Sequence, residues 1–361
     1  MPLFDKHPEL IVRQPDPFNG GPPSHLLLGN FITPYELFFV RNHGGVPTVD
    51  LGAYRLTVDG LVEKHLTLSL DDLRRLPRAT VTATLQCAGN RRQEMMAHKP
   101  IPDELPWGLE AISNAEWSGV PLRAVLAAAG VRPGASHAAF TGRDETERDG
   151  KRFHFGGSIP LDKALAGEVL LADTLNGQPL PAIHGAPLRV VVPGYIGARS
   201  VKWLFRITLQ ESPSENYFQA KAYRLFPPHY GKDNVVWEKG LRLGEAPVNS
   251  VILAPGENAT VPAGKVAVRG WALAGGTRGV ARVDVSADGG ATWTVADFVA
   301  GEGAFVWRLW EAVLDLAPGR REIVCRAWDT AAQTQPERAG QVWNFKGYAN
   351  NAWHRVRITC A

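Results

Sequence analysis

The stretch TLQCAGNRR, Thr84 to Arg92, holds the first cysteine of the chain, with two adjacent arginines close behind it. A cysteine thiolate is a nucleophile or a metal ligand, and its thiol pKa of ~8.5 falls beside fixed cations. Arg91 and Arg92 are such cations, and Gly89 permits backbone angles that let a strand turn abruptly into a loop. The alternative is a buried structural cysteine beside surface arginines, because free cysteine is among the most buried residue types.

Two other stretches bear on that choice. FFVRNHGGVP sets Phe39, Val40, Arg41, Asn42 and His43 against a Gly-Gly pair, and HGAPLRVVVPGYIGARSVKW carries His184, Arg189, Arg199, Ser200, Val201 and Lys202 in a glycine-rich frame. Each alone also reads as a solvated surface feature. Together they supply many cationic and amide donors around one soft ligand. That combination suits an anionic, phosphate-bearing cofactor held by a thiolate-bound metal. A thiol hydrolase using His43 or His184 as base would leave the excess of arginine without a purpose.

These groups need a frame. VTATLQC reads as a strand running straight into the cysteine, and YRLTVDGLV as a strand that turns at Asp59-Gly60. Ser69 caps a short helix closed by Pro77, and Val120–Val131 has helical spacing ending at Gly130. A short helix and a strand follow up to a turn at Asn176-Gly177, then strands over Ala186–Gly194 and ARSVKWLFRITLQ. Short strands with a few helices and no regular alternation predict an α+β fold.

From about Glu245 the chain becomes a series of short alternating runs separated by Gly, Pro or Asp-Gly, the signature of an antiparallel immunoglobulin-like sandwich. Seven of the eleven tryptophans lie between Trp271 and Trp353, where they are expected to fill the space between two sheets. The resulting division is an extended arm over 1–40, a catalytic domain over 41–244 and a sandwich over 245–361.

Bulk properties narrow the partners. The 361 residues favour two domains, and a net charge of +3 is too small to imply nucleic acid or an anionic membrane. Three cysteines without a CxxC argue against a disulfide framework or structural zinc. The opening residues show no signal-peptide pattern and no stretch reads as a membrane span, so a cytoplasmic location is expected.

LQCAGNRR, the F-x-x-R-N-H segment, HGAPLRVVVPG, GARSVKWL and WNFKGYANNAWHRV together resemble the sulfite oxidase family of molybdenum enzymes from about Phe38 to Ile358. The resemblance implies that Cys87 binds molybdenum beside the dithiolene of molybdopterin. It implies a cofactor-binding set of Phe39, Val40, Arg41, Asn42, His43, Cys87, Asp144, His184, Arg189, Ser200, Val201 and Lys202. Cys87, Tyr223, Arg41 and Arg92 become the catalytic candidates, with Trp107 and Lys346 completing the pocket for sulfite and sulfate. Lys346 stands where many relatives have an arginine, which keeps the charge and loses the fork geometry.

The implied reaction oxidises sulfite to sulfate, with electrons leaving to cytochrome c or dioxygen, since neither a heme-binding CxxCH nor room for a heme domain ahead of the RNH segment is seen. A homodimer through the sandwich is also implied. An oxo-transferase reducing an S-oxide, and a non-catalytic module whose sandwich mediates assembly, are the competing readings.

Overall fold

The computed structural model describes residues 3–361. Strands make up most of it, and helices are few and short, so the α+β expectation gives way to a mostly β chain. The longest helix among the described residues, Leu122–Ala129, shows why. Val120 and Pro121 still pair with Leu171 and Leu170 at the end of the strand Ile112–Pro121, so the helix starts only where the sheet releases the backbone.

The N-terminal two thirds contains two five-stranded sheets. One orders Gln178–Pro179, Leu170–Leu175, Ile112–Pro121 and Ala79–Gln86, with Arg189–Val191 also paired to Leu170–Leu175. The other orders Leu66–Leu68, Leu56–Gly60, Leu204–Gln210, His137–Arg148 and Lys151–Pro160. A shared apolar core draws Val120, Leu171 and Val190 from the first sheet and Val58, Phe140, Ile159 and Ile207 from the second. Local signals hold where expected. Ser69 Oγ accepts from Asp72 N–H at 3.1 Å while the Asp72 carboxylate accepts from Ser69 N–H at 2.9 Å, a reciprocal cap. Asn176 and Gly177, at φ 50° and 73°, make the two-residue turn of a hairpin.

The last third is a sandwich of a four-stranded sheet and a five-stranded sheet. Ile252, Val268 and Leu314 of one sheet share a core with Val283, Ile323 and Val356 of the other. Only Trp310 of the seven tryptophans lies in that core. Trp271 and Trp307, stacked at 6.4 Å, instead pack with Leu27 and Ile112 against the N-terminal part. Trp293, Trp328 and Trp353 surround the Arg326 guanidinium. The widest side chains therefore seal the seam and an outer face rather than the inter-sheet space.

The N-terminal segment is more than an extended arm. Ile11–Gln14 and Asn19–Gly21 form a hairpin, and Gly20 exchanges backbone hydrogen bonds with Val40. Arg13 pairs with Glu110 at 2.6 Å, and the short helix Ser24–Leu27 delivers Leu27 to the seam.

Polar groups also cross the seam. Buried Arg91, paired with Glu94 at 2.7 Å, reaches across to Asn249 Oδ1 at 2.6 Å, and just inside the sandwich His354 Nδ1 accepts from Ile252 N–H at 3.1 Å. Burial pulls His354 down to about 4 from 6.5. As pH falls below 6.5 the unfolded chain takes up a proton that the folded chain refuses until about 4, so stability is lost across that window. We expect this residue to cost the wild type about 3 kcal/mol over the interval. Urea melts near pH 7 and pH 4 should show a correspondingly shallower loss for His354→Gln.

Candidate active site

The strand Ala79–Gln86 delivers Cys87, whose N–H donates to Ala111 O at 2.9 Å. Gly89 N–H points at Cys87 Sγ at 3.4 Å, and Asn90 Oδ1 accepts from Ala111 N–H at 3.0 Å. The sharp turn falls on Arg91, at φ 66°, rather than on Gly89. Gly89 serves instead to leave room, since a Cβ there would lie 2.5 Å from Arg92 Nη2 and 2.7 Å from its Cζ. The missing side chain is the seat of the Arg92 guanidinium. The two arginines part company, because Arg91 turns into the seam and leaves the thiol.

Cys87 lines a cavity of about 640 Å³ together with Phe38, Phe39, Arg41, His43, Asp144, His184, Arg189, Ser200, Lys202 and Tyr223. Its walls are rich in cations. Lys202 Nζ donates to Asn42 Oδ1 and to Ile183 O, the latter at 3.1 Å. Trp203, at φ 49°, breaks the strand expected through this stretch, so regular pairing begins only at Leu204. Arg189 donates to His184 O at 2.9 Å and Ser200 O at 3.0 Å. Desolvation pulls Arg189 down to about 9 and pushes Lys202 and His184 well below their usual values, with the neighbouring cations adding to the last two.

Asp144 is the one carboxylate on the lining, raised to about 6 by desolvation against the pull of Lys202. Its Oδ1 and the Asn42 Nδ2 are buried without a hydrogen-bond partner. A desolvated cationic wall with unspent polar atoms calls for a polar, anionic guest.

At the cavity mouth, His43 stacks on Phe155 and leans on Phe218, with ring centroids at 5.3 Å and 4.2 Å. Arg41 Nη2 can only donate, so His43 Nδ1, at 3.2 Å, accepts and Nε2 carries the ring proton. Desolvation, aided by Arg41, keeps this imidazole neutral. Nε2–H then donates to Tyr223 Oη at 2.8 Å, which leaves the phenolic hydrogen available to a ligand. Tyr223 sits at φ 50°, a conformation costing about 1–2 kcal/mol for an L-residue. Its ring lies on Tyr348 at 5.1 Å, and Leu243 N–H donates to its carbonyl at 2.9 Å. Burial pushes both phenols up, so both stay protonated.

Beyond Arg41 and His43 the cavity opens into a vestibule of about 1160 Å³ that Asp103, Glu104, Arg148, Lys232, Lys346 and Tyr348 help to line. Lys346 and Tyr348 come from the loop between the last two strands of the sandwich, docked by Ala349 N–H on Ala88 O at 2.7 Å. The sandwich thus finishes a site begun by the other sheets.

The expected residues divide. Phe39, Arg41, His43, Cys87, Asp144, His184, Arg189, Ser200, Lys202 and Tyr223 meet on the cavity, while Asn42 and Lys346 line the vestibule. Val40 and Val201 turn into apolar clusters. Trp107 packs among Phe38, Phe39 and Cys87, with its Nε1 unpartnered, and lines neither space. Arg92 lies beneath Tyr348, its guanidinium 5.3 Å from that ring. Its Nε donates to the Lys346 and Gly347 carbonyls and its Nη1 to Leu105 O.

Four residues escaped sequence reasoning. Asn19 Oδ1 accepts from Asn42 N–H at 2.7 Å and from Arg41 at 3.2 Å, fixing the RNH segment. Lys6, 4% exposed, approaches His184 Nε2 at 2.6 Å and is pulled down to about 7 by burial. Glu104 pairs with Lys346, and Tyr348 backs Tyr223. Of these, Tyr348 stood inside WNFKGYANNAWHRV, and Glu104 opens the ELPWGLE stretch around Trp107.

A family model described as the oxidoreductase molybdopterin binding domain matches residues 43–218, and one described as the Mo-co oxidoreductase dimerisation domain matches 242–361. Sulfite oxidase of Arabidopsis thaliana is 40% identical over 374 residues, covering 98% of this chain and 94% of the plant protein. The chain belongs to the sulfite oxidase family. Mitochondrial sulfite oxidase of Homo sapiens is 44% identical over 364 residues, which span 98% of this chain and 66% of the human protein. Among solved structures, the sulfane dehydrogenase SoxCD from Paracoccus pantotrophus superposes with a TM-score of 0.80 at 29% identity, covering 96% of this chain and 85% of that one.

Molybdenum held by molybdopterin is the group this family's cavity takes, and the residues here fit it. Arg189, Lys202 and His184 suit a phosphate, the unspent Asp144 and Asn42 atoms suit a pterin edge, and Cys87 supplies a soft donor. We expect Arg189→Met or Lys202→Met to fold, with molybdenum and pterin content falling about tenfold. Elemental analysis and pterin fluorescence check this; full occupancy would remove that residue from the cradle.

Proposed function

We propose that the chain oxidises sulfite to sulfate at a Cys87-bound molybdenum centre and passes the electrons to an external acceptor, a cytochrome or dioxygen. The observation that carries this reading is the convergence of the Cys87 thiol, the Arg41 guanidinium and the Tyr223 hydroxyl on one cavity that opens through a cationic mouth. When bound, molybdopterin-held molybdenum supplies two-electron oxygen transfer to the sulfur lone pair, and the protein supplies position and charge.

The chain's own residues have distinct parts. Cys87 holds the metal through sulfur. The cofactor is held by the Phe39-Val40-Arg41-Asn42-His43 segment, by Asp144, and by His184, Arg189, Ser200, Val201 and Lys202, with Val40 and Val201 anchoring these segments in the apolar clusters behind the cavity. Arg41 faces the oxyanion, whose two negative charges a fixed guanidinium suits. Tyr223 donates its hydroxyl hydrogen to a ligand oxygen, held in that orientation by His43. Arg92, bound to three carbonyls, presents Nη2 and stiffens the wall behind Tyr348, while Trp107 backs the thiol.

Supporting the wider picture, the dimerisation-domain match falls on the sandwich, which we read as immunoglobulin-like and as the surface that pairs two copies. We divide the chain near residue 244 on the same ground. Among the described residues no helix is long and apolar enough to cross a membrane.

The deciding experiment measures molybdenum content together with sulfite-dependent reduction of ferricyanide, cytochrome c and dioxygen. Protein without stoichiometric molybdenum or sulfite turnover would sink the reading. Cys87→Ser is expected to retain the fold and to lower kcat by more than about a hundredfold. Turnover at the wild-type rate would remove Cys87 as the ligand.

A further inference from the structure

Two cations expected to recognise the oxyanion already have an anion. Lys346 Nζ is ion-paired to Glu104 Oε1, and Arg92 Nη2 lies 3.5 Å from Glu104 Oε2. The other Arg92 nitrogens are spent on the carbonyls of Lys346, Gly347 and Leu105. Nη2 is therefore the donor still open, and it faces Glu104. Lys346 has no other polar side-chain partner among the described residues. Elsewhere on the vestibule wall the charges are differently engaged. Lys232 pairs with Asp103 at 2.5 Å, and Arg148 donates to Glu147 O and Thr146 Oγ1. Glu104 is half-buried on the segment before Leu105, with 15% of its side chain exposed.

We propose that Glu104 is a specificity-determining residue, an internal carboxylate that holds Lys346 and Arg92 until a sulfur oxyanion displaces it. The inference rests on the reading of this mouth as an oxyanion entrance. A half-buried lysine and a buried arginine left without a counter-charge would be costly, and Glu104 offsets that cost in the resting protein. An incoming dianion brings two charges where Glu104 brings one, so exchange is favourable, yet the two pairs it breaks are subtracted from its binding. The loss is the same for substrate and transition state, so it falls on KM rather than on kcat. A ligand with a single charge gains less from the exchange, so Glu104 also sets a preference by charge.

The test uses the molybdenum-loaded enzyme with Glu104→Gln, which removes the charge and keeps the shape. KM for sulfite and the dissociation constant of sulfate, the latter by calorimetry, should both fall by about tenfold. The dissociation constant of methanesulfonate, a monoanion, should fall by clearly less. In a Lys346→Met background the same change should give a much smaller gain, which a merely structural role would not produce. Sulfate binding that is unchanged or weaker in Glu104→Gln overturns the proposal, and so does an equal gain for the monoanion. Tighter sulfate binding in a protein that turns over no sulfite would leave Glu104 as the competitor and sink the substrate reading instead.

Discussion

The molecule depends on a concentration of buried positive charge around one thiol. Arg41, Arg189 and Lys202 line a single cavity with Asp144 as its lone carboxylate, and Lys6 adds a further amine behind the neutral His184. Water would solvate and screen such a cluster at little cost. A desolvated cavity cannot, and the depressed values of Lys202, Arg189 and Lys6 register the strain. The protein holds these groups by turning carbonyls toward them: Ile183, His184, Ser200, Tyr35 and Phe38 all accept from the cluster. A permanently anionic cofactor completes the balance, so the fold and the cofactor are answers to one electrostatic problem.

Much of this was legible in the sequence because it is local. The strand into Cys87, the Ser69 cap, the Asn176-Gly177 turn and the sandwich each follow from a few adjacent residues, and the structure shows them where expected. The helix at Val120 started late because strand pairing outlasted the apolar spacing. The role of Gly89 was hidden for a different reason: nothing adjacent to it reveals that a guanidinium three residues on will lie across its Cα.

Long-range contacts were invisible. Lys6 meets His184 across 178 residues, and Lys346 meets Glu104 across 242. No period or spacing encodes such meetings, and a lysine near the start of a chain reads as solvated surface. The tryptophans were misplaced in a related way. Their bulk was evident, but which face each would present depended on the arrival of Leu27 and Ile112 at the seam.

The loop carrying Lys346 and Tyr348 follows the whole cavity floor in the chain, since every residue on that floor precedes residue 224. A ribosome emits the chain in that order. The floor and its cationic wall are thus synthesised well before the lid that narrows their mouth, so a chain still lacking that loop has nothing to narrow the way in.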